Sequence, residues 1–88
     1  MDFKYKVSYK TELFTENSMI RPDGFSCLSF RNQGESNVII NRSIKIAPGE
    51  SLYINEKPIV SIDSDMIIHF TGQGNNELVV IYSFYEEA

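Results

Sequence analysis

The sequence has no tryptophan, one cysteine, one histidine and no long apolar run. Each scarcity closes off a class of protein. Cys27 alone can form neither an intrachain disulfide nor a thiolate metal centre. Within Phe25-Ser26-Cys27-Leu28 its expected role is that of a small buried apolar residue. The longest apolar stretch, Leu78 to Tyr82, falls far short of the roughly 20 residues of a membrane-crossing helix, so no membrane partner is expected. The opening Met-Asp-Phe-Lys-Tyr-Lys alternates charges and aromatics and contains no apolar signal core, which predicts synthesis in the cytoplasm. Nowhere do apolar residues recur at helical spacing over ten or more positions, so a helical fold is not expected.

What the chain does have is a two-residue rhythm. In Phe3-Lys4-Tyr5-Lys6-Val7-Ser8-Tyr9-Lys10 the apolar side chains fall at 3, 5, 7 and 9, and strand pleating places all four on one sheet face. Residues 11–20 are ambiguous between a helical turn around 11–16 and a loop leading to a short strand at 18–21. Pro22-Asp23-Gly24 reads as a turn, with proline presetting φ and glycine accepting a positive φ. Strands are then expected at residues 25–31, 38–40, 44–46, 51–55, 59–62, 66–71 and 77–85, with a break at Asn41-Arg42-Ser43 and a turn at Ala47-Pro48-Gly49-Glu50. Short β-branched or aromatic runs bounded by Gly, Pro, Asn and Asp predict an all-β fold. The expected form is a single domain over residues 1–88, a small β-sandwich or jelly roll of about eight short antiparallel strands. Its mass of 10.1 kDa implies a folded surface of roughly 5,300 Å². So modest a core makes association with copies of itself a natural supplement.

The strand beginning at Leu78 is apolar on both faces, and Phe84 and Tyr85 continue it. Either it lies centrally in a sandwich or another subunit covers its outer face. For an interface the sequence nominates Phe3, Tyr5, Tyr9, Leu78, Val80, Tyr82, Phe84 and Tyr85, because aromatic residues dominate interface energetics and terminal strands can pair across subunits. A core role for the same residues competes with that reading.

Chemistry finds few footholds. His69 shares a strand face with Ile67 and Thr71, but neither a Gly-x-Ser-x-Gly elbow nor a helix follows a strand to present a nucleophile, so no catalytic residue is expected. Asp63-Ser64-Asp65 with His69 offers oxygen and nitrogen ligands. An EF-hand would require a ligand at Ile67 and a glycine at Ile68, so a solvated turn is expected and no metal or cofactor. Gly72-Gln73-Gly74 precedes a strand rather than a phosphate-binding helix and reads as a hairpin connection. Asn41-Arg42-Ser43 matches a glycosylation sequon, uninformative without a secretion signal.

The net charge of −4 opposes nonspecific contact with phosphates. Lys4, Lys6 and Lys10 lie on the face opposite Phe3, Tyr5 and Tyr9, whereas single-strand binders mix cations and aromatics on one surface, so no nucleic-acid partner is expected. Charge is uneven: residues 1–44 hold six Lys/Arg and five Asp/Glu, residues 45–88 two and seven, an asymmetry suited to contacts between neighbouring copies. Asn75, Asn76, Tyr53 and Tyr85 near predicted strand ends keep a carbohydrate- or ligand-binding domain as the alternative.

The segment Phe30-Arg31-Asn32-Gln33-Gly34, then Val38-Ile39-Ile40, then Ile44-Lys45-Ile46-Ala47-Pro48-Gly49-Glu50-Ser51-Leu52 resembles small β-sandwich modules of bacteriophage virion proteins. Those modules run an aromatic strand into an Asn/Gly turn, an apolar strand, and Pro-Gly-Glu-Ser before the next strand. The resemblance implies a non-enzymatic accessory role on a head, tail or fibre, with a virion location and other virion proteins or further copies as partners. It carries over no catalytic or ligand residue.

Overall fold

The computed structural model describes residues 4–57 and 60–87, and among these it is all-β. Eight strands form in chain order: β1 Tyr5–Phe14, β2 Ser18–Ile20, β3 Cys27–Asn32, β4 Val38–Ile40, β5 Ile44–Ile46, β6 Ser51–Asn55, β7 Met66–Phe70 and β8 Leu78–Glu87. They make two four-stranded antiparallel sheets, ordered β1-β8-β3-β6 and β2-β7-β4-β5. The ladders β4·β5, β3·β6, β2·β7 and β1·β8 are those of one long hairpin folded about residues 41–43. Rolling that hairpin sets β8 beside β3 and β7 beside β4. This wiring is that of a jelly roll.

The pivot is built by backbone chemistry. Asn41 and Arg42 have φ of 51° and 65°, and the Ser43 N–H donates to the Ile40 carbonyl at 3.2 Å. Two consecutive left-handed residues match the twist of a tight hairpin, and asparagine tolerates that conformation better than most residues. Asn41 also prolongs the β4–β7 ladder: its backbone N–H donates to the Ile67 carbonyl at 3.0 Å, and its Oδ1 accepts from the Ile67 N–H at 2.8 Å. The turns expected at Gly24 and Gly49 form, each glycine with φ of 85°.

The core lies between the sheets. Phe25, Leu28, Phe30, Leu78, Val80 and Tyr82 meet Val38, Ile40, Ile46, Ile68 and Phe70. Each large apolar side chain so buried contributes roughly 1.5–3 kcal/mol relative to exposure. β8 is central in its sheet, and its even-numbered side chains point inward. Several expectations need correction. The helical-turn alternative at 11–16 gives way to a strand, because residues 11–14 continue pairing with residues 81–78 without a break. The strand expected at 59–62 does not form over residues 60–62: Val60 N–H closes a turn onto Lys57, and Ile62 N–H makes a single bond to Phe25 O. Residue 59 lies outside the described residues. Residues 71–77 do not close a hairpin, since β7 and β8 belong to different sheets. The surface, 5899 Å², exceeds the compact-globule expectation. Residues 5–8 of β1 and 84–87 of β8 extend as a two-stranded arm past the last β3 partner, Ser83, and residues 5–10 of β1 are exposed on both faces.

One end of the sandwich is sealed by Asn32, which is fully buried. Its Nδ2 donates to the Ser36 carbonyl at 2.8 Å and the Ile46 carbonyl at 2.9 Å, and its Oδ1 accepts from the Gly34 N–H at 3.0 Å. Its backbone accepts from Gly49 and donates to Glu50. One side chain thus ties β3 to β5 of the other sheet. Beside it Gly34 passes against the next loop so closely that a Cβ would stand 2.6 Å from Glu77 N and 2.7 Å from Asn75 O. Asn32→Ala should therefore cost about 3 kcal/mol, since it leaves the Gly34 N–H and the Ser36 and Ile46 carbonyls without their partner. Gly34→Ala should cost about 1–3 kcal/mol through collision with backbone. Urea denaturation checks both; a loss below about 0.5 kcal/mol for Asn32→Ala would refute its sealing role.

Candidate functional site

Register decides which side chains reach solvent. In the β1-β8-β3-β6 sheet, cross-strand rows on the outer face run Leu13, Val79, Arg31, Ser51, then Thr11, Ile81, Ser29, Tyr53, then Tyr9, Ser83, Cys27, Asn55. On the arm, Val7 pairs with Tyr85 and Tyr5 with Glu87. Among the described residues this face holds six exposed large apolar ones: Tyr5, Val7, Tyr9, Leu13, Tyr53 and Ile81, with Tyr9 68% and Tyr53 66% exposed. Only small Ser29 separates Ile81 from Tyr53, so the band is continuous. Together the six expose on the order of 600 Å², the top of the roughly 300–600 Å² patch of a typical monomer. Among the described residues the face carries two charges, Arg31 and Glu87, at opposite ends.

The nominated interface residues separate by parity. Tyr5 and Tyr9 are exposed on the outer face. Tyr85 lies there half-buried, its hydroxyl 3.8 Å from the Cys27 sulfur, and that contact raises its pKa above the ordinary tyrosine value. Leu78, Val80 and Tyr82 are instead core residues facing the opposite sheet, and Phe84 packs partly against that core. Pleating turns Leu78, Val80 and Tyr82 into the core, the competing reading for these residues, while half-buried Phe84 and the Tyr82 ring reach only the cleft on the inner side of β1. Phe3 lies outside the described residues. The interface nomination leaves out Leu13 and Ile81, and the sequence reading named Tyr53 only among the carbohydrate candidates. The signal for Ile81 was present in the odd positions of the last strand.

A second feature lies on the inner side of β1, where it faces β2. Lys10, Glu12, Arg21, Asp23, Phe25 and Tyr82 are among the residues lining a cleft of about 170 Å³. Tyr82 donates from its hydroxyl to Glu12 Oε1 at 2.6 Å, and Lys10 Nζ stands 5.3 Å above the Tyr82 ring centroid. Phe25 tilts against the same ring at 5.2 Å. The cleft is smaller than the roughly 300 Å³ of common small-molecule pockets and would admit one ring or one side chain.

His69 is exposed on β7. Asn17 Oδ1 accepts from the Phe70 N–H at 2.8 Å, which orients the amide so that its Nδ2 donates to His69 Nδ1 at 3.2 Å. The neutral ring then carries its proton on Nε2. Asn17 acts here as a substitute strand residue prolonging β2. Among the described residues no three His, Cys, Asp or Glu side chains gather into a metal-holding group. Cys27 is buried, its sulfur 3.8 Å from the Glu56 carbonyl.

The fold and these surfaces define a small antiparallel β-sandwich with one apolar outer face. No protein-family model matches the chain, and no curated protein gives a significant match.

Burial first, and then the bond to Glu12, push the Tyr82 pKa well above its ordinary value of 10.0. The neutral phenol is thus favoured in the folded state. Its contribution to stability is complete below pH 10.0 and declines as pH rises beyond that value. Tyr82→Phe should remove this alkaline loss and cost about 1 kcal/mol at neutral pH. Unfolding measured from pH 8 to 11 checks it; an unchanged alkaline slope in Tyr82→Phe would contradict the assignment.

Proposed function

We propose that this chain is a non-enzymatic assembly module that associates with copies of itself and with other structural proteins of a larger body. The observation that carries this reading is the uninterrupted apolar band on the outer face of the β1-β8-β3-β6 sheet. Side chains such as Tyr9 and Tyr53 supply large rigid contact area at low entropic cost, the kind of anchor that dominates interfaces. A central strand with apolar residues on both faces gains stability when a neighbour covers the second face. The setting proposed is an accessory position on a bacteriophage virion. It is supported by the resemblance in the Phe30 to Leu52 segment, which runs from the end of β3 through β4 and β5 to the start of β6. Jelly-roll wiring, recurrent in capsid proteins and lectins, is compatible with that setting and fixes no function by itself.

A second reading, a small carbohydrate-binding domain, draws on the cleft beside Tyr82, where an aromatic floor meets Glu12, Asp23, Lys10 and Arg21. The two readings predict different behaviour. Light scattering at micromolar concentration should return a mass above 10.1 kDa, and the pair Tyr9→Ser with Tyr53→Ser should move it toward the monomer with the fold retained. A strict monomer, together with sugar binding on a glycan array that Tyr82→Phe abolishes, would overturn the assembly reading in favour of the second.

A further inference from the structure

Among the described residues β1 forms one free edge of its sheet: it pairs with β8 on one side and with no strand on the other. It is ten residues long, contains neither proline nor glycine, and pairs with β8 in unbroken register, so no bulge bends it. Long regular edges of this kind are templates for pairing with another chain, and charged side chains pointing inward are a common guard against it. Here the inward residues are Lys6, Ser8, Lys10, Glu12 and Phe14. One carboxylate among the lysines makes the guard selective.

We propose that β1 pairs antiparallel with β1 of a second copy about a two-fold axis at Tyr9, joining two sheets into one of eight strands. This rests on the self-association proposed above and names its geometry. The register follows from charge. A two-fold axis normal to the sheet keeps outer faces together, and directly opposed residues share a face, so only residues of like parity can oppose one another. Centring at Val7 opposes Lys4 to Lys10, centring at Ser8 opposes Lys6 to Lys10, and centring at Lys10 sets that lysine against its own copy. Like charges directly opposed are destabilising. Centring at Glu12 opposes two carboxylates. Centring at Thr11 avoids like charges but overlaps only residues 8–14 of the described strand. Centring at Tyr9 overlaps residues 4–14, opposes Lys6 to Glu12 of the second copy twice, and sets Lys10 beside Ser8 and Lys4 beside Phe14. On the outer face it brings Tyr9 to Tyr9, Tyr5 to Leu13 and Val7 to Thr11. The second copy is the occupant because the edge is charge-complementary to itself in this one full-length register. The pairing also braces the two-stranded arm, since isolated two-stranded ribbons are marginal in water.

Sedimentation equilibrium on the full chain tests this. Lys6→Glu changes an exposed residue that takes no part in the Glu12–Tyr82 bond, and it opposes two carboxylates at each symmetric pair. It should weaken the dimer about ten-fold or more, and adding Glu12→Lys should restore it to within about three-fold. Circular dichroism of each variant reports whether the fold is kept, and Tyr82→Phe reports what loss of the Glu12 bond alone does to the dimer. A dimer indifferent to Lys6→Glu but abolished by Tyr53→Glu would overturn edge pairing while leaving self-association through the outer face standing. A wild-type chain that stays monomeric at about 100 μM, weaker than a functional contact of this kind requires, would overturn both.

Discussion

β8 can bury Leu78, Val80 and Tyr82 only if another sheet lies against its even-numbered side, and the rest of the molecule follows from that demand. The facing layer comes from β2, β4, β5 and β7, whose Ile20, Val38, Ile40, Ile46, Ile68 and Phe70 complete the core. Because strand pleating has a period of two, filling one side of β8 leaves Val79, Ile81, Ser83 and Tyr85 on the other. The same parity passes through the ladders to β1, β3 and β6. The apolar outer band is thus a consequence of how the core is satisfied.

The two ends of the sandwich are finished differently. At one, Asn32 and the loops at residues 33–37 and 71–77 tie the two sheets together, with a hydrogen bond from Ser36 to Asn76. Toward the other, the ladder of β1 and β8 runs on past β3, and the inner side of β1 carries Lys10 and Glu12 where a core strand would carry aliphatics. Tyr82 links these regimes, its ring in the core and its hydroxyl on Glu12. The charged inner side and the free edge belong to one strand, which is why β1 bears on both the cleft and the proposed pairing.

The fold class was legible because local chemistry and global topology agree: alternation at residues 3–10, turn residues at Gly24 and Gly49, and the apolar strands at 38–40 and 78–82 each specify the same layered β structure. Strand order was not legible, since the ladders join residues as distant as Tyr5 and Glu87 and no local pattern encodes that. The site was legible in part. Strict alternation placed Tyr5 and Tyr9 on one sheet face, and both are exposed there. For Leu78, Val80 and Tyr82 the core and interface readings stayed open in the sequence, because a strand apolar on both faces hides which parity points inward. Tyr53, named for the carbohydrate alternative, was not nominated for the interface because its strand, Ser51–Asn55, presents one aromatic among aliphatics. Asn32 looked like an ordinary loop residue, since its three side-chain partners include the carbonyl of Ile46 across the sandwich.

The central claim is that parity along β8 divides core from outer face, and paired substitutions at adjacent residues test it most directly. Urea denaturation of Val80→Ser and Ile81→Ser should give a loss of about 2–4 kcal/mol for the first and less than about 1 kcal/mol for the second. Equal losses, or the larger loss at Ile81, would contradict it.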